Sequence, residues 1–293
     1  ECPEAISDQL LKWICLQEIL EELEMTMPQL NIDGKVLRGT AKSGHKKSGL
    51  CVVSAWVSEA NLVLGQQRVS DKSNEKTAIP ELLQGLDLKG SVVSIDAIAC
   101  ELKNAEKIVE KQGHYLLALK NNNKNIYEQV SQRMIKNKAQ LYDYEHVDFG
   151  SGRIEKRKCY VETNLSLYDD LANWTHLKSI VMIESSRQIG DKISKETRFY
   201  LSDLLATPEQ FNRMVRNHWG IENSLHWILD VVFREDLQRT KTANAPDNLA
   251  TIRKLALQMI RKIDDNHSIK NRRKMAGWDE DALCNILSKI KCV

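Results

Sequence analysis

Apolar and polar residues follow two different rhythms along the first half of the chain. Residues 5–26 place apolar side chains at helical spacing and predict an amphipathic helix. Strands are predicted at 30–40, 50–57, 61–69, 91–95 and 114–119, and helices at about 77–86 and 101–111. Pro80 is expected in the first turn of its helix, where a missing N–H matters least. Because a crossover helix joins parallel strands, this order predicts an α/β fold with a mixed sheet flanked by helices.

The second half breaks that rhythm. A polar helix is predicted at 124–138 and strands at 157–162, 179–183 and 197–201, which indicates a β-rich insertion. Thr207-Pro208-Glu209 then supplies the start of a long helix that runs, with interruptions, to about 232, and a further helix is predicted at 245–263. The expected domains are an N-terminal helical region at 1–29, a core at 30–123 and 205–240, the insertion at 124–204 and C-terminal helices at 241–293.

Composition narrows the class of protein. The 293 residues have a formal net charge of +2 and 42% hydrophobic residues, with no apolar run long enough for a membrane span and no secretory signal at the start. Seven cysteines without a Cys-x-x-Cys pair argue against a disulfide framework and a zinc knuckle. We expect a cytoplasmic globular protein. The chain begins at Glu1 rather than methionine, as expected of a piece of a longer protein.

Three carboxylates stand in settings that point to chemistry. Asp33 lies within the first strand, Asp96 ends a buried apolar strand, and Glu222 lies on the long helix. A carboxylate at such a position is costly unless it is paired or binds a cation, and Mg²⁺ prefers oxygen ligands. The helix around Glu222 allows two other interpretations. His218, Glu222 and His226 have the spacing of one helical face and could be transition-metal ligands, and Asp230 could replace Glu222 as the third acid.

The segments around these acids resemble a known family. They are IDGKVLRGT, VSAW, LVLGQQRVSDKSNEKTAIPELLQGLDLKGSVVSIDAIAC and RNHWGIENSLHWILDVVFRED. Together they are similar to the H-repeat-associated insertion-sequence transposases, which are DDE transposases with an RNase H-like catalytic core. The similarity runs from about residue 30 to about residue 262. It implies cleavage of DNA strands at transposon ends and their transfer to target DNA.

The resemblance also implies roles for individual residues. Asp33, Asp96 and Glu222 would be the catalytic residues and would bind Mg²⁺, or Mn²⁺ in its place. The DNA contacts that the resemblance implies are Lys120, Asn122, Arg153, Arg216, His218, Trp219 and Asn223. Lys35 and Arg38 are predicted DNA contacts for another reason, because segment 35–47 carries five bases and no acid. The partner would be double-stranded DNA, bound by a homodimer in the bacterial cytoplasm and at the nucleoid, without membrane attachment.

Departures from the family pattern keep two other hypotheses open. Serine replaces the usual histidine at Ser151, Asn121 and Asn123 replace glycine and glutamine, and Glu101 replaces glutamine. Most of the expected N-terminal helical region is missing, so residues 1–29 would be its remnant. The alternatives are a catalytically inactive, truncated or domesticated remnant that only binds DNA, and a structural protein whose acids are helix caps.

Overall fold

The computed structural model describes residues 27–41, 49–69, 74–150, 152–174 and 176–289. The predicted helix at 5–26 and Ser151 lie outside these residues. The chain divides into two compact units, of which one contains Asp33–Leu82 and Gly220–Val293, and the other contains Gln29–Ile32 and Leu83–Trp219. We call them the first and the second unit. The domain limits expected from the sequence stay a prediction.

The order of elements confirms the α/β class. The strands are β1 (Gln29–Leu37), β2 (Leu50–Val57), β3 (Leu62–Arg68), β4 (Val92–Ile95), β5 (His114–Leu119), β6 (Tyr142–Gly150), β7 (Arg153–Glu162), β8 (Ser179–Ile189) and β9 (Lys192–Ser202). The α-helices are α1 (Glu75–Gly85), α2 (Leu102–Glu110), α3 (Lys124–Asn137), α4 (Pro208–His218), α5 (Trp227–Val231), α6 (Ala245–Arg261), α7 (Ile269–Met275) and α8 (Glu280–Leu287). A π-helix, Ile221–His226, lies between α4 and α5.

The second unit is built on a mixed sheet. Residues Gln29–Ile32 of β1 pair in parallel with β4, and β4 pairs in parallel with β5, as the crossover helices predicted. From β5 the order continues through β9, β8, β7 and β6 with antiparallel neighbours. This run of hairpins is the β-rich block expected from the sequence. It includes β6, which the sequence pattern had not revealed.

Helix α4 closes one face of this sheet. Thr207 begins it with a capping box, in which the Thr207 side chain and the Gln210 side chain each bond the other's backbone N–H. Phe211, Met214 and Val215 of the helix belong to one buried cluster with apolar residues of β4, β5, β7, β8 and β9. Burying these side chains removes apolar surface from water, which fixes α4 over the sheet.

The first unit places helices around β2 and β3, which are antiparallel. Trp56 and Val63 of these strands form a buried cluster with Ile221, Leu225 and Leu257 from the helices that follow residue 220. Lys254 of α6 is buried among them and donates hydrogen bonds to Ser54 Oγ at 2.8 Å and Gln66 Oε1 at 2.6 Å. Burial lowers the pKa of Lys254 to about 8.

Of two expectations about helices, one was wrong and one was confirmed. Helix α1 begins at Glu75, two residues before the predicted start, so Pro80 lies inside the helix rather than in its first turn. The long helix is interrupted, as predicted: α4 ends at His218, and the chain continues through the π-helix into α5, which ends at Val231. An apolar repeat near 3.6 residues does not distinguish an α-helix from one that carries a π-helical turn.

Candidate active site

Asp96 lies where strand β4 ends. Its backbone is extended, and a 3₁₀ turn, Ala97–Ala99, follows directly. Asn122 Nδ2 donates to the carbonyl of Ala97 at 2.6 Å, and Asn123 Nδ2 donates to that of Cys100 at the same distance. The predicted DNA contact Asn122 therefore holds the turn after Asp96. Asn123, which replaces the glutamine of the family pattern, holds the end of the same turn through the carbonyl of Cys100.

Lys120 faces Asp96 from the end of β5. Its Nζ lies 3.3 Å from Asp96 Oδ1, and the two side chains are 53% and 44% exposed. An ion pair this exposed contributes little to stability, because water screens it and two long side chains must be ordered. Both groups are therefore accessible to a ligand, and the DNA contact predicted for Lys120 stays a prediction.

A chain of buried polar groups leads from β1 to α4 within the second unit. Gln29 Nε2 donates to Asn31 Oδ1 at 2.8 Å, and Ser94 Oγ donates to the same oxygen at 2.5 Å. Ser94 Oγ is also 2.8 Å from His218 Nδ1. Burial lowers the pKa of His218 to about 4, so the imidazole is neutral at pH 7. His218 is thus a structural hydrogen-bonding partner of β4.

Trp219 follows His218 and is stacked by an arginine. The guanidinium carbon of Arg198 lies 4.0 Å from the centre of the Trp219 ring, a cation–π distance. The cavity beside this pair is lined by residues that include Asp96, Lys120, Tyr127, Arg198, His218 and Trp219. The second unit therefore presents an acid, a base and an aromatic ring to one cavity.

Asp33 continues β1 in the first unit and faces a buried histidine. His226 Nδ1 lies 3.5 Å from Asp33 Oδ2, and the Asp33 side chain is 22% exposed. Burial lowers the pKa of His226 to about 3, with Lys254 and Lys35 adding to the shift. At neutral pH the imidazole is uncharged, so it can meet the carboxylate only as a hydrogen-bonding group.

Lys35, two residues further along β1, forms ion pairs with two acids. Its Nζ contacts Asp230 and lies 2.8 Å from Glu235 Oε2. The Lys35 side chain is 12% exposed and that of Glu235 only 1%. Asp230, the rival third acid, is therefore a partner of Lys35, and Lys35 is held inside the first unit. Arg38, in contrast, is 82% exposed and 3.7 Å from Asp236.

Glu222 and Asn223 both lie in the π-helix, and both side chains are exposed. The wider π turn changes the spacing that had placed His218, Glu222 and His226 on one face. His226 is buried whereas Glu222 is exposed, so the histidine spacing does not describe a common face. Single π turns within helices are frequent at functional sites.

The predicted contacts Arg153 and Arg216 meet at one residue. Gly152, with φ of +71°, makes the turn before β7 in the left-handed region that favours glycine, and Arg153 begins the strand. Arg153 Nε lies 3.0 Å from Glu155 Oε1, and Arg216 Nη1 lies 3.5 Å from Glu155 Oε2. Two bases predicted from separate motifs are therefore brought together in the second unit.

Of the three predicted catalytic acids, Asp33 and Glu222 belong to the first unit and Asp96 to the second. Among the described residues, no group of three or more His, Cys, Asp or Glu side chains is gathered as a metal site. The described helices also include none long and apolar enough to cross a membrane.

Four charged residues that the sequence did not single out form ion pairs, hydrogen bonds or cation–π contacts within their own unit. They are Arg157, Arg187, Arg198 and Lys254. Arg198 alone left a signal, as the charged residue before an apolar strand run, Phe199–Leu201, but that signal is common. The others depend on strand register and helix packing.

Comparison with known proteins identifies relatives for most of the chain. The family model described as "Transposase DDE domain" matches residues 25–259. The chain is 36% identical over 251 residues to "Putative transposase YncI" of Escherichia coli O157:H7, covering 83% of this chain and 64% of that protein. It is 35% identical over 268 residues to "H repeat-associated putative transposase YhhI" of Escherichia coli K12, covering 88% and 70%.

One solved structure is also similar, the piggyBac transposase in a synaptic complex with hairpin DNA. That similarity has a TM-score of 0.47 and 11% identity over 90% of this chain and 54% of that one. The chain thus spans between about half and about 70% of the length of these relatives.

Proposed function

Because the chain belongs to the family of transposase DDE domains, we propose that it cuts DNA strands at the ends of an insertion element and joins them to target DNA. Asp33, Asp96 and Glu222 are the proposed catalytic residues. The family membership gives the class of reaction. The assignment of individual acids rests on the local structure around each of them.

The register of two parallel strands carries this assignment. Ile32 of β1 pairs with Ile95 of β4, and the pairing of these two strands ends there, whereas β1 itself continues to Leu37. Asp33 and Asp96 are the next residues along their strands. Ligands of α/β proteins commonly bind at the carboxyl ends of parallel strands. The two aspartates thus follow matched positions on neighbouring strands, which supports a shared role.

The donor set fits a magnesium ion. All three proposed ligands are carboxylates, and Mg²⁺ takes a few carboxylates together with water and substrate phosphates. Each side chain is at least partly exposed, so water and substrate can complete the shell. When bound, such an ion stabilises the charge of an in-line phosphoryl displacement. Asp33, Asp96 and Glu222 would hold it, and Mn²⁺ could replace it.

Other residues of the chain would bind and orient the DNA. Lys120, exposed beside Asp96, would contact the phosphate to be cut, and Arg38 and Asn223 are exposed for contacts elsewhere on the backbone. Asn122 would act by fixing the turn that follows Asp96. The aromatic face of Trp219 is stacked by Arg198, and this pair lines the cavity next to Asp96. We leave Lys35 out of the DNA contacts because it is paired inside the first unit.

Plasmid nicking tests the proposal. The chain is incubated with supercoiled plasmid carrying the ends of its own element, in Mg²⁺ or Mn²⁺. We expect Asp33→Asn, Asp96→Asn and Glu222→Gln each to slow nicking at least about a hundredfold, since several kcal/mol of charge stabilisation are lost. DNA binding should persist, because less negative charge faces the phosphates.

The matched control is Asp87→Asn, in the exposed turn before β4, which should nick at the parent rate. A parent chain that binds this plasmid and does not nick it with either metal would overturn the enzymatic part of the proposal. Equal nicking by Asp96→Asn and the parent would overturn the assignment of Asp96.

A further inference from the structure

Four arginines surround a single carboxylate in the second unit. Arg153 Nε and Arg187 Nε lie 3.0 and 3.6 Å from Glu155 Oε1, and Arg157 Nη1 and Arg216 Nη1 each lie 3.5 Å from Glu155 Oε2. Each carboxylate oxygen of Glu155 thus faces two guanidinium groups. We call these five residues the Glu155 cluster.

Strand register explains why the cluster forms. Glu155 on β7 stands directly opposite Arg187 on β8 and Asp148 on β6, so the three share one face of the sheet. Arg153 and Arg157 are two residues either side of Glu155 on β7 and therefore point to that same face. Arg216 reaches the cluster from α4, which packs on this face.

The four arginines of the cluster carry more positive charge than Glu155 and the neighbouring Asp148 balance. Asp148 also contacts Arg157, so the four arginines face two acids and keep a formal charge of +2. The side chains of Arg153, Arg187 and Arg216 are between 40% and 49% exposed. Arg157, in contrast, is only 11% exposed and is paired with Glu155 and Asp148. The exposed guanidinium groups of Arg153, Arg187 and Arg216 can therefore bind a second anion.

The anion best matched to this arrangement is a row of phosphates. Arginine presents planar donors that bind phosphate oxygens in pairs, and it is common at nucleic-acid interfaces. The arginines are spread over two strands and a helix rather than around a closed pocket, which suits an extended backbone better than a small ion. Helix α4 contributes to both places: Arg216 belongs to the cluster, and His218, two residues further along, lines the cavity beside Asp96.

We propose that the Glu155 cluster binds the phosphodiester backbone of duplex DNA, and that Glu155 is an internal competitor that occupies the arginines when DNA is absent. The inference rests on the proposed function, because it takes the partner to be DNA. Glu155 weakens binding to any duplex, since each phosphate must displace it from the arginines. The chain's affinity for unrelated DNA is thereby held down.

DNA binding without divalent metal tests this proposal separately from catalysis. The full chain is titrated into a fluorescent duplex of unrelated sequence in EDTA, at salt between about 50 and 200 mM. Glu155→Gln keeps the shape of the side chain and removes its charge. It should tighten binding about two- to fivefold at low salt, the range of a single partly exposed ion pair.

Arg187→Ala and the double variant Arg153→Ala/Arg187→Ala should weaken binding, with a salt slope shallower by about 0.9 for each phosphate that the variant no longer neutralises. Arg187 is half exposed, so its variant is expected to fold even if Glu155→Gln does not. Two controls match the charge changes elsewhere in the unit: Lys89→Ala in the exposed turn before β4, and Glu128→Gln on α3.

The proposal is overturned if Arg187→Ala weakens binding no more than Lys89→Ala, or if Glu155→Gln binds as the parent or as Glu128→Gln does. Nicking by the parent decides the proposed function independently. A chain that does not nick but shows the arginine effects keeps this proposal and loses the enzymatic one. If the parent chain nicks the plasmid and the cluster variants bind DNA as the parent does, the proposed function is kept and the proposal for the Glu155 cluster is lost.

Discussion

Removing the ammonium of Lys35 is the sharpest test of how the first unit is held together. Lys35 is expected from the sequence to contact DNA, whereas in the structure it contacts Asp230 and Glu235. The Glu235 side chain is 1% exposed, and its Oε1 has no hydrogen-bond partner among the described residues. The substitution Lys35→Met keeps the length and packing of the side chain and leaves Glu235 without its cation.

The magnitude follows from burial. Removing one partner of a buried ion pair leaves an uncompensated charge and typically costs about 3–5 kcal/mol. Asp230 is 33% exposed and is solvated in part, so its loss of Lys35 adds little to that figure. We therefore expect Lys35→Met to lower the free energy of unfolding by about 3 kcal/mol or more. Replacing both charges, in Lys35→Met/Glu235→Gln, should recover part of the loss.

Urea unfolding followed by circular dichroism measures these free energies, with DNA affinity measured alongside on the folded variants. Compared with the two single variants, Lys35→Met and Glu235→Gln, the double variant gives the coupling energy between the two side chains, because either single change already breaks the ion pair. Arg38→Met, in the same basic segment and with a side chain that is 82% exposed, is the control and should leave stability within about 0.5 kcal/mol. The reasoning is refuted if Lys35→Met is as stable as the parent and binds DNA more weakly.

Two further predictions concern the helix that carries Glu222. A Cβ on Gly220 would lie 2.9 Å from the ring of buried Trp56, so Gly220→Ala should cost about 1–3 kcal/mol in urea unfolding, whereas Gly85→Ala, with open space, should not. Because His226 has its pKa lowered to about 3, the unfolded chain binds more protons than the folded one between pH 6.5 and 4. Stability should therefore fall on acidification through that window, and His226→Gln should flatten the fall by on the order of 2–3 kcal/mol.

Each of these has a result that contradicts it. Equal stability of Gly220→Ala and the parent would mean that the backbone at residue 220 is not held against Trp56. An unchanged pH profile in His226→Gln would mean that this imidazole is protonated as readily in the folded chain as in the unfolded one.

The sequence predicted the elements whose burial leaves a simple pattern. The apolar run of β2 has the predicted limits Leu50–Val57, and β5 the predicted limits His114–Leu119, because both strands are buried over most of their length. Strand β6 was missed because its side chains are all exposed or half-buried, so no apolar alternation marks it. The π-helix was missed because its hydrogen bonds are invisible in a hydrophobic repeat.

The same distinction separates the parts of the candidate site. Asp96 could be proposed from the sequence because a charged residue at the end of a short, wholly buried strand is conspicuous within a few residues of sequence. The Glu155 cluster has no such local mark: it exists only because β7 and β8 pair with Glu155 opposite Arg187, and a one-residue slip would send these side chains to opposite faces. Lys35 shows the converse, since a basic residue in a basic segment indicated DNA, and only the fold revealed the two acids that hold it. Charge in a sequence therefore indicates which residues can contact phosphate, and pairing within the fold determines which of them are available.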